Sequence, residues 1–226
     1  MRVAFAVLFL VCATACQRDP GPPPETSPKL EVPPATGVVA AAKPRLVFLG
    51  DSLTAGLGLP TDQSYPSVIG KRLREGGYDY EIVNAGVSGD TSAGGARRLD
   101  WSLDGDVRAL VLALGANDGL RGLPTDAMKK NLELVLDRAK ARNIPVVLAG
   151  MEAPPNNGPD YTRDFRKVYA DLADQYDVRF VPFLLRGVAG NASLNQSDGI
   201  HPNARGAEIV AALVWAELEP LLRRPN

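Results

Sequence analysis

The chain has 226 residues, 45% of them hydrophobic, which suffices for one domain with a buried core plus appendages. Lys and Arg number 25 against 26 Asp and Glu, so the net charge is −1 with both signs interspersed. No basic face or Lys/Arg cluster marks a nucleic-acid partner, and the charges read as an ordinary solvated surface.

In chain order, the first segment is "MRVAFAVLFLVCATAC". Arg2 precedes an apolar stretch from Val3 to Ala13, too short for the ~20 residues that span a bilayer but suited to a secretory signal. Ala13-Thr14-Ala15 fits the small-residue cleavage pattern, and "ATAC" resembles the lipobox of bacterial lipoproteins. Residues 1–15 are therefore expected to be a signal peptide cleaved before Cys16. Cleavage there discards Cys12 and leaves Cys16 as the sole cysteine, so no internal disulfide forms. By the lipobox resemblance Cys16 is lipidated, tethering an exported protein to a membrane of the periplasm or cell envelope. Plain secretion and a retained anchor are the alternatives.

Residues 16–44 are expected to be a linker. "QRDPGPPPETSPKLEVPPATGVVAAAKP" is proline-rich, lacks an apolar period, and buries too little surface to offset its ordering entropy. Extended polyproline II, at ~3.1 Å per residue, makes it a semi-stiff spacer.

A domain over 45–226 follows. "RLVFLG" (45–50), "YEIVNAG" (80–86), "RALVLALG" (108–115), "IPVVLAG" (144–150) and "RFVPF" (179–183) are short apolar runs, mostly ending at glycine. Helical spacing fills 62–75, 92–103, 125–142, 161–176 and 203–222, the last with Asn203 as a candidate cap. Nearly all-apolar strands alternating with helices predict a parallel sheet covered on both faces, a three-layer α/β/α domain. Ligands of such sheets bind beyond the carboxyl ends of the strands. "GDSLTAG", "NAGVSGDTS", "GANDGLRG" and "SDGIHPN" should therefore meet along one edge.

Ser52 leaves the first strand at a helix start, either as an N-cap or as a nucleophile. No G-x-S-x-G surrounds it, so the nucleophile elbow of α/β-hydrolases is absent. A serine hydroxyl needs a base, and His201 is the chain's one histidine. Asp198, three residues earlier, is spaced to reach imidazole Nδ1 and fix its tautomer, and Pro202 stiffens the turn. A surface loop histidine is the bland alternative. Gly89, Asn117 and the Ser52 N–H could supply donors for a developing oxyanion, although Gly89 and Asn117 serve equally as turn-formers.

"GDSL" (50–53), "NAGVSGDTS" (84–92), "LGANDGLRGLP" (114–124) and "DGIHPN" (198–203) resemble the four signature blocks of the SGNH, or GDSL, hydrolase superfamily, within its thioesterase I/lysophospholipase/arylesterase branch. The similarity covers about residues 44–224. It implies a flavodoxin-like fold with a mainly parallel five-stranded sheet and a cofactor-free serine esterase acting on small acyl esters or thioesters. It assigns Ser52 as nucleophile, His201 as base, Asp198 as its orienting partner, and Ser52, Gly89 and Asn117 as the oxyanion hole. Ala116 stands where some relatives have glycine. "GLRGLP" (119–124) resembles a segment that covers the acyl chain in relatives, and residues 151–165 are expected to form another lip of the groove.

Other chemistries fit less well. With one histidine and one mature cysteine a zinc cluster lacks ligands, no acidic pair stands out for glycoside hydrolysis, and the sequons at 191–193 and 195–197 are weak signals. A carbohydrate O-deacetylase on the same scaffold and a phosphate-binding flavodoxin-like module remain as alternatives.

Overall fold

The computed structural model describes residues 43–222. The predicted signal peptide, Cys16 and all but the last two residues of the predicted linker lie outside that span. Within it, Lys43 pairs with Asp79 at 2.5 Å and the Pro44 carbonyl accepts from the Glu81 N–H at 2.9 Å. The ordered sheet edge thus extends to just before residue 45.

Five strands form one sheet: β1 (Arg45–Gly50), β2 (Glu81–Gly86), β3 (Val107–Ala113), β4 (Val146–Ala149) and β5 (Arg179–Val181). Their order is β2-β1-β3-β4-β5 and every neighbouring pair is parallel. Leu46 to Leu49, Ala109 to Ala113 and Val146 to Ala149 are all buried, as a strand covered on both faces requires. On the edge strand β2, Glu81 and Asn84 are exposed. All five apolar runs become strands; β1 matches its predicted bounds and the others begin and end within two residues of theirs. The third stops at Ala113 rather than 115, and Gly115 turns the chain at φ +115°.

The helices are α1 (Ser52–Ala55), α2 (Tyr65–Glu75), α3 (Ser92–Arg97), α4 (Leu99–Ser102), α5 (Ala116–Leu120), α6 (Thr125–Ala141), α7 (Pro159–Tyr176) and α8 (Ala204–Leu218). Helices α2 and α8 pack together as one layer, while α6 packs against α3 and α7 in the other, the arrangement that right-handed crossovers impose. On α7, Phe165, Val168, Tyr169, Leu172 and Ala173 make one buried stripe at helical spacing. Burying each of its larger side chains contributes about 1.5–3 kcal/mol. Asn203 caps α8, its Oδ1 accepting from the Gly206 N–H at 3.1 Å.

Two departures from the predicted helices matter. The segment 92–103 is two helices broken at Arg98, where φ −103° and ψ 11° leave the helical path. Residues 116–120, whose "NDG" reads as a turn, wind into the single turn of α5. Because β2 and β3 flank β1 on opposite sides, the connections out of β1 and β3 diverge. That divergence opens a crevice at their carboxyl ends.

Candidate active site

β1 delivers Ser52 to this crevice. Asp51, not Ser52, caps α1: its Oδ1 accepts from the Leu53 N–H at 3.0 Å. The serine hydroxyl is therefore free of capping duty. Helix α1 lies so close to the end of β2 that a Cβ on Gly86 would come within 2.2 Å of the Ala55 nitrogen. Small residues at the strand ends let the turn bearing Ser52 sit against the sheet. Burial pushes the Asp51 carboxyl up to about 6, partly offset by the Leu53 N–H and by His201.

From the far end of the chain comes the turn that carries His201. Ser52 Oγ and His201 Nε2 are 2.9 Å apart, and His201 Nδ1 is 2.7 Å from Asp198 Oδ2. The other Asp198 oxygen accepts from the backbone N–H groups of Ile200 and His201, each at 3.0 Å. The His201 N–H, the imidazole and the Ile200 N–H together hold the Asp198 carboxyl down to about 2. The turn is fixed in place by Gln196, whose Nε2 donates to the carbonyls of Leu57 (2.7 Å) and Pro202 (3.0 Å). Behind it, Asn195 donates to Val188 and Asn191 carbonyls.

The two remaining predicted donors flank the same spot. Gly89 adopts φ +83°, a conformation that favours glycine, and Asn117 stands in the first turn of α5. One Asn117 Nδ2 hydrogen is directed to the Asp90 carbonyl at 2.9 Å; the other has only a long 3.5 Å approach to Asp51 Oδ2. Ser52, Gly89, Asn117 and His201 all line one cleft of about 510 Å³. Four segments separated by up to 149 residues thus meet at one rim.

A family model of GDSL-like lipases and acylhydrolases matches residues 48–209. The chain belongs to this family. Esterase TesA of Pseudomonas aeruginosa is 44% identical over 183 residues, covering 80% of this chain and 91% of that protein. Thioesterase 1/protease 1/lysophospholipase L1 of Escherichia coli is 34% identical over 188 residues, covering 83% and 89%. A crystal structure of TesA aligns with a TM-score of 0.75 at 43% identity, covering 79% of this chain and 99% of that one. The α/β fold is accordingly that of the SGNH hydrolases.

In this hydrolase the cleft is walled by Leu120, Met151, Ala153, Pro154, Phe183 and Leu185. Of the two predicted lips, Leu120 from 119–124 and Met151 to Pro154 from 151–165 line the cleft. The "GLRGLP" segment is tied to the second lip by Asn157 Nδ2, which donates to the Gly119 carbonyl at 3.1 Å, and by Tyr161 Oη, which donates to the Leu123 carbonyl at 2.8 Å. Within 151–165, a single 3-10 turn at Pro155–Asn157 leads into α7, which starts at Pro159 rather than 161. Asp118 anchors the first lip from below, its buried carboxylate accepting from the Ser92 N–H (2.7 Å) and Ser92 Oγ (2.6 Å).

Several residues of the site are not singled out by the sequence. Gln196, Asp51, Asp118 and Asp90 lie inside or beside the signature blocks, so their nearness to the chemistry was visible although their hydrogen bonds were not. Arg98 lies beyond the blocks, in what reads as a helix, and no sequence signal marks it. Arg121 joins the 119–124 segment to the loop bearing Gly89 by donating to the Gly89 carbonyl at 2.9 Å.

Proposed function

We propose that this hydrolase cleaves carboxylic esters and thioesters through an acyl-enzyme on Ser52. The observation that carries the proposal is the chain of contacts from Ser52 Oγ through His201 to Asp198, at 2.9 and 2.7 Å. As Ser52 Oγ attacks the substrate carbonyl, His201 Nε2 takes its proton. The N–H groups of Ser52 and Gly89 and the free Asn117 Nδ2 hydrogen stabilise the oxyanion. Collapse of the tetrahedral intermediate breaks the bond to the alcohol or thiol, which leaves with the proton from His201. Water then attacks the acyl-enzyme with His201 again as base, releasing the acid and restoring Ser52.

The apolar walls favour an acyl or aryl substituent over a sugar, which argues against a carbohydrate O-deacetylase. A phosphate-binding module is disfavoured because, among the described residues, no lysine or arginine lines the cleft. The names of the two relatives span esters, thioesters and lysophospholipids. One carbonyl mechanism serves all three.

The test is covalent capture. A fluorophosphonate probe should modify Ser52 in the purified protein and leave Ser52→Ala unlabelled; labelling undiminished in that variant would refute the nucleophile assignment. For the N-terminus, we propose export with lipidation of Cys16 and tethering to an envelope membrane through the proline-rich spacer. The "ATAC" pattern supports it. A mature N-terminus bearing an unmodified Cys16 in mass spectrometry would rule it out.

A further inference from the structure

We propose that Arg98 is a positioning residue for the oxyanion hole. The proposal rests on the catalytic reading above. At the break between α3 and α4 the Arg98 side chain turns in beneath the carboxyl ends of β1 and β2. Its Nε donates to Asp90 Oδ2 at 2.7 Å, one Nη to the Ala85 carbonyl at 2.6 Å and the other to the Gly50 carbonyl at 2.8 Å. All three guanidinium nitrogens thereby donate, to acceptors from two strand ends and one loop. Arginine and aspartate are about four-fifths buried, with side-chain exposures of 19% and 20%.

Gly50 and Asp90 stand two residues and one residue from an oxyanion donor, and Ala85 stands four residues before Gly89. Gly50 lies two residues before Ser52, and its carbonyl also receives the Val87 N–H at 3.1 Å, which fixes the start of the loop bearing Gly89. Asp90 follows Gly89 directly. The Asp90 carbonyl accepts from Asn117 Nδ2 at 2.9 Å and so sets which way the other amide hydrogen points. Ser52, Gly89 and Asn117 come from three different connections of the sheet, and Arg98 clamps the backbone beside two of them and, through Asp90, the third. Arg98 stands at the break between the two helices.

An arginine that merely supported the fold would change stability and leave the chemistry alone. One that sets donor geometry changes the transition state more than substrate binding. The experiment compares Arg98→Ala, Arg98→Lys and Asp90→Asn with the parent on a short p-nitrophenyl ester, measuring kcat, KM and the rate of fluorophosphonate labelling, with circular dichroism to verify folding. Arg98→Ala should lower kcat by ~10- to 100-fold with KM within about twofold, since a misplacement of about 1 Å can cost ~10²-fold. Arg98→Lys should fall between the parent and Arg98→Ala, because an ammonium keeps the charge near Asp90 but cannot span both carbonyls. Asp90→Asn, which keeps an oxygen acceptor but removes the charge, should lower kcat less than Arg98→Ala.

A folded Arg98→Ala with parental kcat overturns the proposal, as does a loss confined to KM. If Arg98→Ala does not fold, Arg98→Lys decides: a kcat reduced severalfold at unchanged KM supports the proposal, and a parental kcat overturns it. Ser52→Ala is run in parallel. If it is inactive while the Arg98 variants are parental, only the positioning role fails. If Ser52→Ala is itself active, the catalytic reading fails first.

Discussion

Two aspartates adjoin the Ser52–His201 pair, and they are held in opposite electrostatic regimes. Asp51, next to the serine, is 1% exposed, receives one backbone N–H and is pushed up to about 6 by burial. Asp198, next to the histidine, has 45% of its side chain exposed and receives three hydrogen bonds that hold it down to about 2. Burial raises the one, and hydrogen bonds to the charged form lower the other. The carboxylate aimed at the imidazole is the one whose hydrogen bonds favour the charged form.

The largest effect that tests this division is loss of the base. His201→Ala should lower kcat by ~10⁴-fold or more on a p-nitrophenyl ester. Next comes Asp198→Asn, whose amide can face Nδ1 with a donor and select the wrong tautomer, for a loss approaching ~10⁴-fold. A near-parental rate in Asp198→Asn would mean that the exposed aspartate contributes nothing and would erase the contrast. Asn117→Ala should cost ~10²–10³-fold in kcat, measured in the same assay.

The smallest effect concerns Asp51 and appears in stability. Its folded value of about 6 lies above the ordinary 3.8, so the fold favours the protonated carboxyl. Stability from this group is therefore fully present below about pH 4 and is lost as pH rises through about 6. Asp51→Asn keeps an acceptor for the Leu53 N–H and removes the titration. Urea unfolding at pH 4 and pH 7 should show the variant gaining on the parent by on the order of 2 kcal/mol between the two. No gain would mean that Asp51 is not penalised by burial. Asp198 has the opposite sign: its contribution is present above 3.8 and fades as pH falls through about 2.

Strands were the most legible part of the sequence, because Leu46–Leu49 and Val146–Ala149 are covered on both faces and tolerate little but apolar residues. Ser52, Gly89, Asn117, Asp198 and His201 were legible too, since each stands at a strand end or in a turn where polar residues and glycines interrupt an apolar run. The arrangement of helix 92–103 was not. Apolar spacing reports which face is buried, but Arg98, at the break, bonds acceptors on Gly50 and Ala85, which that spacing does not report. The Asp51 cap shows the same limit: Ser52 looked like the capping residue, and only the backbone path shows that its neighbour takes that task.

Both oxygens of Asp198 are engaged inside the four-residue turn that bears His201, so the acid–base pair assembles from its own short segment. The remainder of the domain has only to aim it, through Asn195 and Gln196. The connection that precedes it supplies the rim residues Phe183, Leu185, Ala189 and Gly190 but no hydrogen bond to Asp198, so the shape of the rim and the His201–Asp198 geometry rest on separate segments.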